Sequence, residues 1–189
     1  MIIMKVLGNS GSWNTYHESI GNTHGLYLNS TAAKEDNVAF FNDTSPTSTV
    51  FTTGTNGNLI NNTLVAYCFA EKKGFSKFGS YTGNGNADGP FVYTGFRPAW
   101  IMTKETSNTS TWNIYDNVRS DDNPATELLI ANSYNAEGTG TDIDIVSNGF
   151  KVRSSSGNIN TSGNNYIYIA FAHMPFKYAL ARWFIDRRK

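Results

Sequence analysis

The sequence predicts an all-β protein with antiparallel sheets, and three observations predict it. Polarity comes from amides and hydroxyls rather than charge: the 189 residues hold 23 Asn, 20 Thr, 17 Ser and 17 Gly, against 16% charged residues. Asn, Gly and Ser supply turns, while Thr, Tyr, Phe and Val favour strands. Apolar residues come in short β-branched and aromatic runs with turn clusters on either side, such as Tyr166-Ile167-Tyr168-Ile169-Ala170-Phe171. The chain also repeats itself. Met1 to Lys5 and Trp13-Asn14-Thr15-Tyr16-His17 return 99 residues later as Trp100 to Lys104 and Trp112-Asn113-Ile114-Tyr115-Asp116. Val50, Asn56, Asn58, Asn62, Phe69 and Ala70 recur 102 residues on, as Val152, Asn158, Asn160, Asn164, Phe171 and Ala172. Ordered matches at a nearly constant offset predict two related units of about 100 residues.

The elements follow in order. Strands are the default reading throughout, and Leu26-Tyr27-Leu28 echoes Leu128-Leu129-Ile130 within the repeat. Ala32 to Asp36 is expected to form a single helical turn. Thr52 to Asn62 is a polar loop before the strand Thr63 to Ala70. Glu71 to Gly95 is rich in Gly yet keeps its aromatics, so it reads as turns and short strands rather than a tether. Ile143 to Val146, Ser147-Asn148-Gly149 and the alternating Phe150-Lys151-Val152-Arg153 read as a hairpin. Ser154 to Asn165 is a polar loop before the last strand. Residues 176–189 carry good helix formers with Leu180, Trp183 and Phe184 on one face, so a short C-terminal helix is expected. Its basic end complements the helix dipole. The expected division is 1–73 for the first unit and 74–189 for the second.

Several functions are argued against by composition and spacing. Formal net charge is zero, so no footprint for nucleic acid appears. The single Cys68 precludes a disulfide within the chain and, with scattered His, a zinc site. No stretch nears 18 apolar residues and Met1 to Met4 is too short for a signal peptide, so neither a membrane span nor export is expected. His17, His24 and His173 sit beside no nucleophile motif; Gly8-Asn9-Ser10-Gly11 is not G-x-S-x-G. A glycan-cleaving pair could be drawn from Asp88, Asp116, Asp121, Asp122, Glu127, Asp142 and Asp144, but no spacing selects two of them. The protein is therefore expected not to be an enzyme.

Binding residues are sought where the two units differ, because function sits on loops carried by a rigid scaffold. Trp13 with Trp112 and Tyr16 with Tyr115 occur in both units and read as core. Aromatics outside the repeated pattern, Tyr81, Phe91, Tyr93 and Tyr134, are the candidate stacking surfaces. Beside them lies Asn84-Gly85-Asn86-Ala87-Asp88-Gly89, which resembles the opening of a calcium loop; the closing Glu is missing, since Gly95 holds its place. The candidate ligand-binding set is Tyr81, Asn84, Asn86, Asp88, Tyr93 and Tyr134, joined by the stretch 121–134. No cofactor is expected, with calcium at Asn84, Asn86 and Asp88 the alternative.

One order of motifs runs through the chain. It comprises Gly79-Ser80-Tyr81-Thr82-Gly83-Asn84-Gly85, Gly95-Phe96-Arg97-Pro98-Ala99-Trp100, Trp112 to Arg119, Ser147-Asn148-Gly149-Phe150 and Gly163 to Ala172. It resembles the repeat of tail-fibre-like virion proteins of tailed phages, marine ones especially, whose units are similar to SPRY or concanavalin-like lectin domains. The resemblance implies a concanavalin-like, jelly-roll β-sandwich in a phage virion, with a host surface glycan or receptor as partner and other copies or virion proteins around it. It also leaves a purely structural virion protein and a glycan depolymerase as alternatives. The first unit begins level with Trp100 and lacks the Y-T-G-N-G and G-F-x-P segments. A sheet edge left open there could be filled by residues 176–189 or by the joining region 71–90; another chain or an upstream piece of the same protein is the favoured filling, so a homo-oligomer is expected.

Overall fold

The computed structural model describes residues 1–8, 10–55 and 62–173. The expected helix over 176–189 and part of the loop before Thr63 lie outside those residues. Among the described residues, thirteen strands form two antiparallel sheets. The first holds β1 (Ile2–Val6), β2 (Asn14–Tyr16), β3 (His24–Tyr27), β4 (Glu35–Asp36) and β5 (Leu64–Cys68), in the order β4-β3-β2-β1-β5. The second holds β6 (Ser76–Thr82), β7 (Phe91–Tyr93), β8 (Pro98–Glu105), β9 (Trp112–Asp116), β10 (Ala125–Ile130), β11 (Gly138–Val146), β12 (Gly149–Val152) and β13 (Asn165–Ala172). Its order is β6-β13-β8-β9-β10-β11-β12-β7.

The eight-stranded sheet bends over its own core. Tyr81 on β6 and Tyr168 on β13 meet Phe150 on β12, at ring separations of 6.1 and 5.5 Å. Ile101, Tyr115, Ile143, Ile145 and Tyr166 fill the same core. The opposite face of β13, β8 and β9 (Ile167, Ile169, Met102, Trp112) packs against Met1, Ile3 and Leu26 of the first sheet. Strand β13 is therefore covered on both faces. This explains its unbroken run Tyr166 to Phe171: a strand buried on one side alternates, while one buried on both is apolar throughout. Each of its aliphatic side chains contributes about 1.5–3 kcal/mol by leaving water. The far face of the first sheet is covered by Phe40, Phe41 and Phe51 from the segment after β4, packed on Ile2, Met4, Val6 and Tyr16.

The pairings of the two halves correspond. Ile2, Ile3 and Met4 face Tyr16, Thr15 and Asn14, as Ile101, Met102 and Thr103 face Tyr115, Ile114 and Asn113. On the other side they face Cys68, Tyr67 and Ala66, as the later three face Ala170, Ile169 and Tyr168. Trp13 and Trp112 each receive at the backbone N–H the same cap, the side-chain oxygens of Asn29 and Asn132, both at 2.9 Å. Lys5 and Lys104 each donate to the next carbonyl, at 3.0 and 2.7 Å. Phe69 and Phe171 touch each other across the sheets, 6.1 Å apart. One register differs from the sequence alignment: Leu26 faces Thr15 as Leu129 faces Ile114, so Leu26 lies level with Leu129 rather than Leu128.

Three expected elements are corrected. Residues 35–36 form the short strand β4, not a helical turn, because they pair with His24 and Gly25. The polar stretch 154–165 contains a four-residue helix α1 (Gly157–Asn160), anchored by the buried Ile159 and Asn160. The stretch 121–134, expected as a loop, contains strand β10 at its centre, and the turn before it is tied down by Asn123, whose amide exchanges two hydrogen bonds with the backbone of Ile145.

Candidate functional site

Strand β6 ends in the turn that carries most of the candidate residues, and one buried amide holds that turn. Asn160 on α1 is fully buried. The two hydrogens of its Nδ2 are shared among Asn84 Oδ1 (3.0 Å), the Asn86 carbonyl (2.7 Å) and the Ser154 carbonyl (2.9 Å), while its Oδ1 accepts from the Asn84 N–H (2.8 Å). The chain passes this hub at Gly83, where a Cβ would come 2.2 Å from the Thr161 carbonyl oxygen. Beyond it the exposed Asn84 and Asn86 make successive Asx turns. Asn84 Oδ1 accepts from the Asn86 N–H (3.0 Å) and Asn86 Oδ1 from the Asp88 N–H (2.9 Å).

Asp88 completes the loop by reaching β12. Its carboxylate lies 2.8 Å from the Lys151 ammonium and 3.6 Å from Arg153, which also pairs with Asp144 at 3.0 Å. The Lys151 hydrogen bond holds the Asp88 carboxyl below the usual range. Lys151 pairs in register with Phe91 and Gly149 with Tyr93. Directly paired residues share a face, so Phe91, Tyr93 and Lys151 stand together on the outside of the bent sheet. Phe91 is 49% and Tyr93 63% exposed, on either side of the buried Val92. This arrangement offers two aromatic faces beside a mixed set of acceptors and cationic donors, a chemistry suited to stacking and hydrogen bonding.

The predicted residues divide accordingly. Asn84, Asn86, Asp88 and Tyr93 are brought to one region through β12. Tyr134 is fully exposed on the loop between β10 and β11. Tyr81 is corrected: it lies in the core, stacked on Tyr166 at 4.9 Å, with its hydroxyl donating to the Ile159 carbonyl at 2.9 Å. Burial pushes its hydroxyl well above the ordinary tyrosine pKa. Lys151, Arg153 and Asn160 escaped the sequence reading because all three act across long sequence separations. The rings were legible as aromatics outside the repeated pattern.

The calcium alternative is not supported by these side chains. Asn84 Oδ1 and Asn86 Oδ1 are turned onto backbone N–H groups, and Asp88 onto two cations. Among the described residues no group of three His, Cys, Asp or Glu converges as a metal site. Of the carboxylates weighed for glycan cleavage, Asp116 is also held low. Burial opposes this, but hydrogen bonds from Arg119 and Val118 outweigh it. Glu127 is engaged by the Ser120 hydroxyl. A cavity of about 610 Å³ lies elsewhere, against β1 and β5.

Fold and site together define an antiparallel β-sandwich protein with an aromatic and amide-bearing edge. The chain belongs to the family described as domain of unknown function DUF7483, whose model matches residues 1–175. No curated protein and no solved structure matches it. No helix among the described residues is long and apolar enough to cross a membrane.

Proposed function

We propose that the protein is a non-enzymatic virion component of the tail-fibre, receptor-binding type, which recognises a host surface glycan or protein. The observation that carries the binding reading is the exposed pair Phe91 and Tyr93 on edge strand β7, beside Asp88, Lys151 and Arg153. Sugars are bound by ring faces together with polar side chains, and a chain of zero net charge suits a neutral ligand. The resemblance to tail-fibre-like proteins supplies the setting, a phage particle facing a bacterial surface. The ionised state favoured for Asp88 and Asp116 supports binding rather than proton donation.

The test is adsorption of labelled protein to cells of the cognate bacterial host and to their purified surface polysaccharide. Replacing Phe91 and Tyr93 together with Ala is expected to weaken adsorption at least about tenfold. The melting temperature should barely move, because both rings are half-exposed or more. Wild-type protein that binds no host surface would transfer the assignment to a structural virion role. Release of reducing sugar from the polysaccharide would transfer it to a depolymerase.

A further inference from the structure

Two rows of residues cross the outer face of β11, β12 and β7 through direct strand pairing. Asp144, Lys151 and Phe91 form one; Val146, Gly149 and Tyr93 form the next. The middle of the second row carries no side chain, and Phe91 leans over it: a Cβ on Gly149 would come 3.2 Å from Phe91 Cε2. Tyr93 lies down in the same way along its own strand. A Cβ on Gly95 would come 3.5 Å from the Tyr93 hydroxyl oxygen and 3.7 Å from its Cζ. Both rings are thus bedded on glycine backbone, and at 49% and 63% exposure each keeps its outer side in solvent. The charges beside them cancel. Asp88 and Asp144 face Lys151 and Arg153, in contacts of 2.8, 3.6 and 3.0 Å. Of the three ammonium hydrogens of Lys151, two go to Asp88 and to the Gly89 carbonyl, both at 2.8 Å. The third has no partner among the described residues. Both cations meet Asp88 at Oδ1, which leaves Oδ2 of this 77% exposed side chain as an acceptor.

On the reading of these rings as the binding site, we infer that the ligand is an extended, neutral polysaccharide of β-linked hexopyranose. It lies along β7 with successive sugars on Phe91 and Tyr93. Side chains two apart on one face of a strand stand about 6–7 Å from each other, so a flat chain meets both rings at once. A hexopyranose with equatorial hydroxyls has C–H groups on its faces and hydroxyls around its rim. The C–H face packs on the aromatic ring, whose face is the negative side of its quadrupole. The rim then offers two neighbouring hydroxyls to the polar pair: one donates to Asp88 Oδ2 and the next accepts from Lys151. Gly149 and Gly95 keep the platform flat, since a side chain at either would occupy the bed of a ring. An acidic polysaccharide suits the patch poorly, because its anions would meet Asp88 and Asp144. A nucleic acid strand would stack its bases on such rings but needs a cationic groove for its phosphates, and here each cation already has a carboxylate.

The probes are cellohexaose and the same chain oxidised at its primary hydroxyls to the hexauronate, titrated into the whole protein and followed by NMR. Cellohexaose at up to about 10 mM should bind, with saturation transfer from the Phe91 and Tyr93 ring protons to the axial C–H protons of the sugar. The hexauronate should bind at least about tenfold more weakly, through repulsion by the two carboxylates. Lys151→Met keeps the apolar stem and removes the donor, and should weaken cellohexaose about tenfold. Phe91→Ala with Tyr93→Ala should abolish its binding. Absence of cellohexaose binding at about 10 mM would overturn the inference. So would equal or tighter binding of the hexauronate, or tighter binding of a thymidine decanucleotide, which would give the rings to bases. Adsorption to host cells that is lost with the two rings while cellohexaose fails to bind would overturn the ligand class alone and leave the receptor-binding role standing. Cellohexaose binding by a protein that adsorbs to no host surface would support the ligand class and overturn that role instead.

Discussion

His17 offers a direct measure of how the two sheets are joined. The imidazole is fully buried, with Nε2 3.2 Å from the carbonyl of Tyr168 in the second sheet and Nδ1 accepting from the Ser19 N–H at 3.2 Å. Because Nδ1 accepts, Nε2 carries the proton and donates it to Tyr168, so the neutral ring satisfies both partners. Burial lowers its pKa from 6.5 to about 4, against the Tyr168 hydrogen bond, which favours the cation. The folded state therefore binds the proton less readily than the unfolded chain. The stability it contributes is complete above pH 6.5 and is lost as pH falls towards 4. Linkage between those two values gives a loss of about 2 kcal/mol from pH 7 to pH 5, growing to about 3 kcal/mol at pH 4.

The assay is urea unfolding of wild type and His17→Gln at pH 7 and pH 5. The Gln amide keeps a donor for the Tyr168 carbonyl and has no proton to gain. Wild type should lose about 2 kcal/mol more than the variant between the two pH values, with the other histidines cancelling in the difference. A difference below about 0.5 kcal/mol, the usual limit of additivity, would refute the argument. An NMR titration placing the His17 pKa near 6.5 would refute it even if the variant does not fold.

Asn160→Ala should remove about 2–4 kcal/mol, because it leaves the Asn84 N–H and the Asn86 and Ser154 carbonyls without their partner. Amide exchange across residues 84–89 should accelerate in step; unchanged protection there would show that the loop holds its shape without the hub. Tyr81→Ala should cost about 3–5 kcal/mol and Tyr93→Ala less than about 1 kcal/mol, because the first ring is packed in the core and the second is exposed. Equal melting temperatures for the two variants would contradict the placement of Tyr81.

Sequence alone determined what depends on near neighbours. The runs Ile143 to Val146 and Phe150 to Arg153 around Ser147-Asn148-Gly149 became the β11–β12 hairpin because the turn and the alternation act over a few residues. The offset of 99 matches residues of β1 and β2 to residues of β8 and β9, and the two strand pairs share one register. Tertiary structure decided which face of each strand is inside, and with it the site. Tyr81 and Tyr93 both stand beside Gly-rich turns in the sequence. Both β6 and β7 are edge strands; the two tyrosines differ because Tyr81 is on the inner face, packed on Tyr166 and Phe150, while Tyr93 alternates with the buried Val92 and faces outward. Ala32 to Asp36 looked helical by propensity, but pairing with His24 and Gly25 overrode a preference of a few tenths of a kcal/mol per residue. The bonds of Asn160 to Asn84, Lys151 to Asp88 and His17 to Tyr168 span 76, 63 and 151 positions. At such separations no local pattern encodes a partner; only the packing of one sheet on another brings the groups within reach, and burial then requires that they be satisfied.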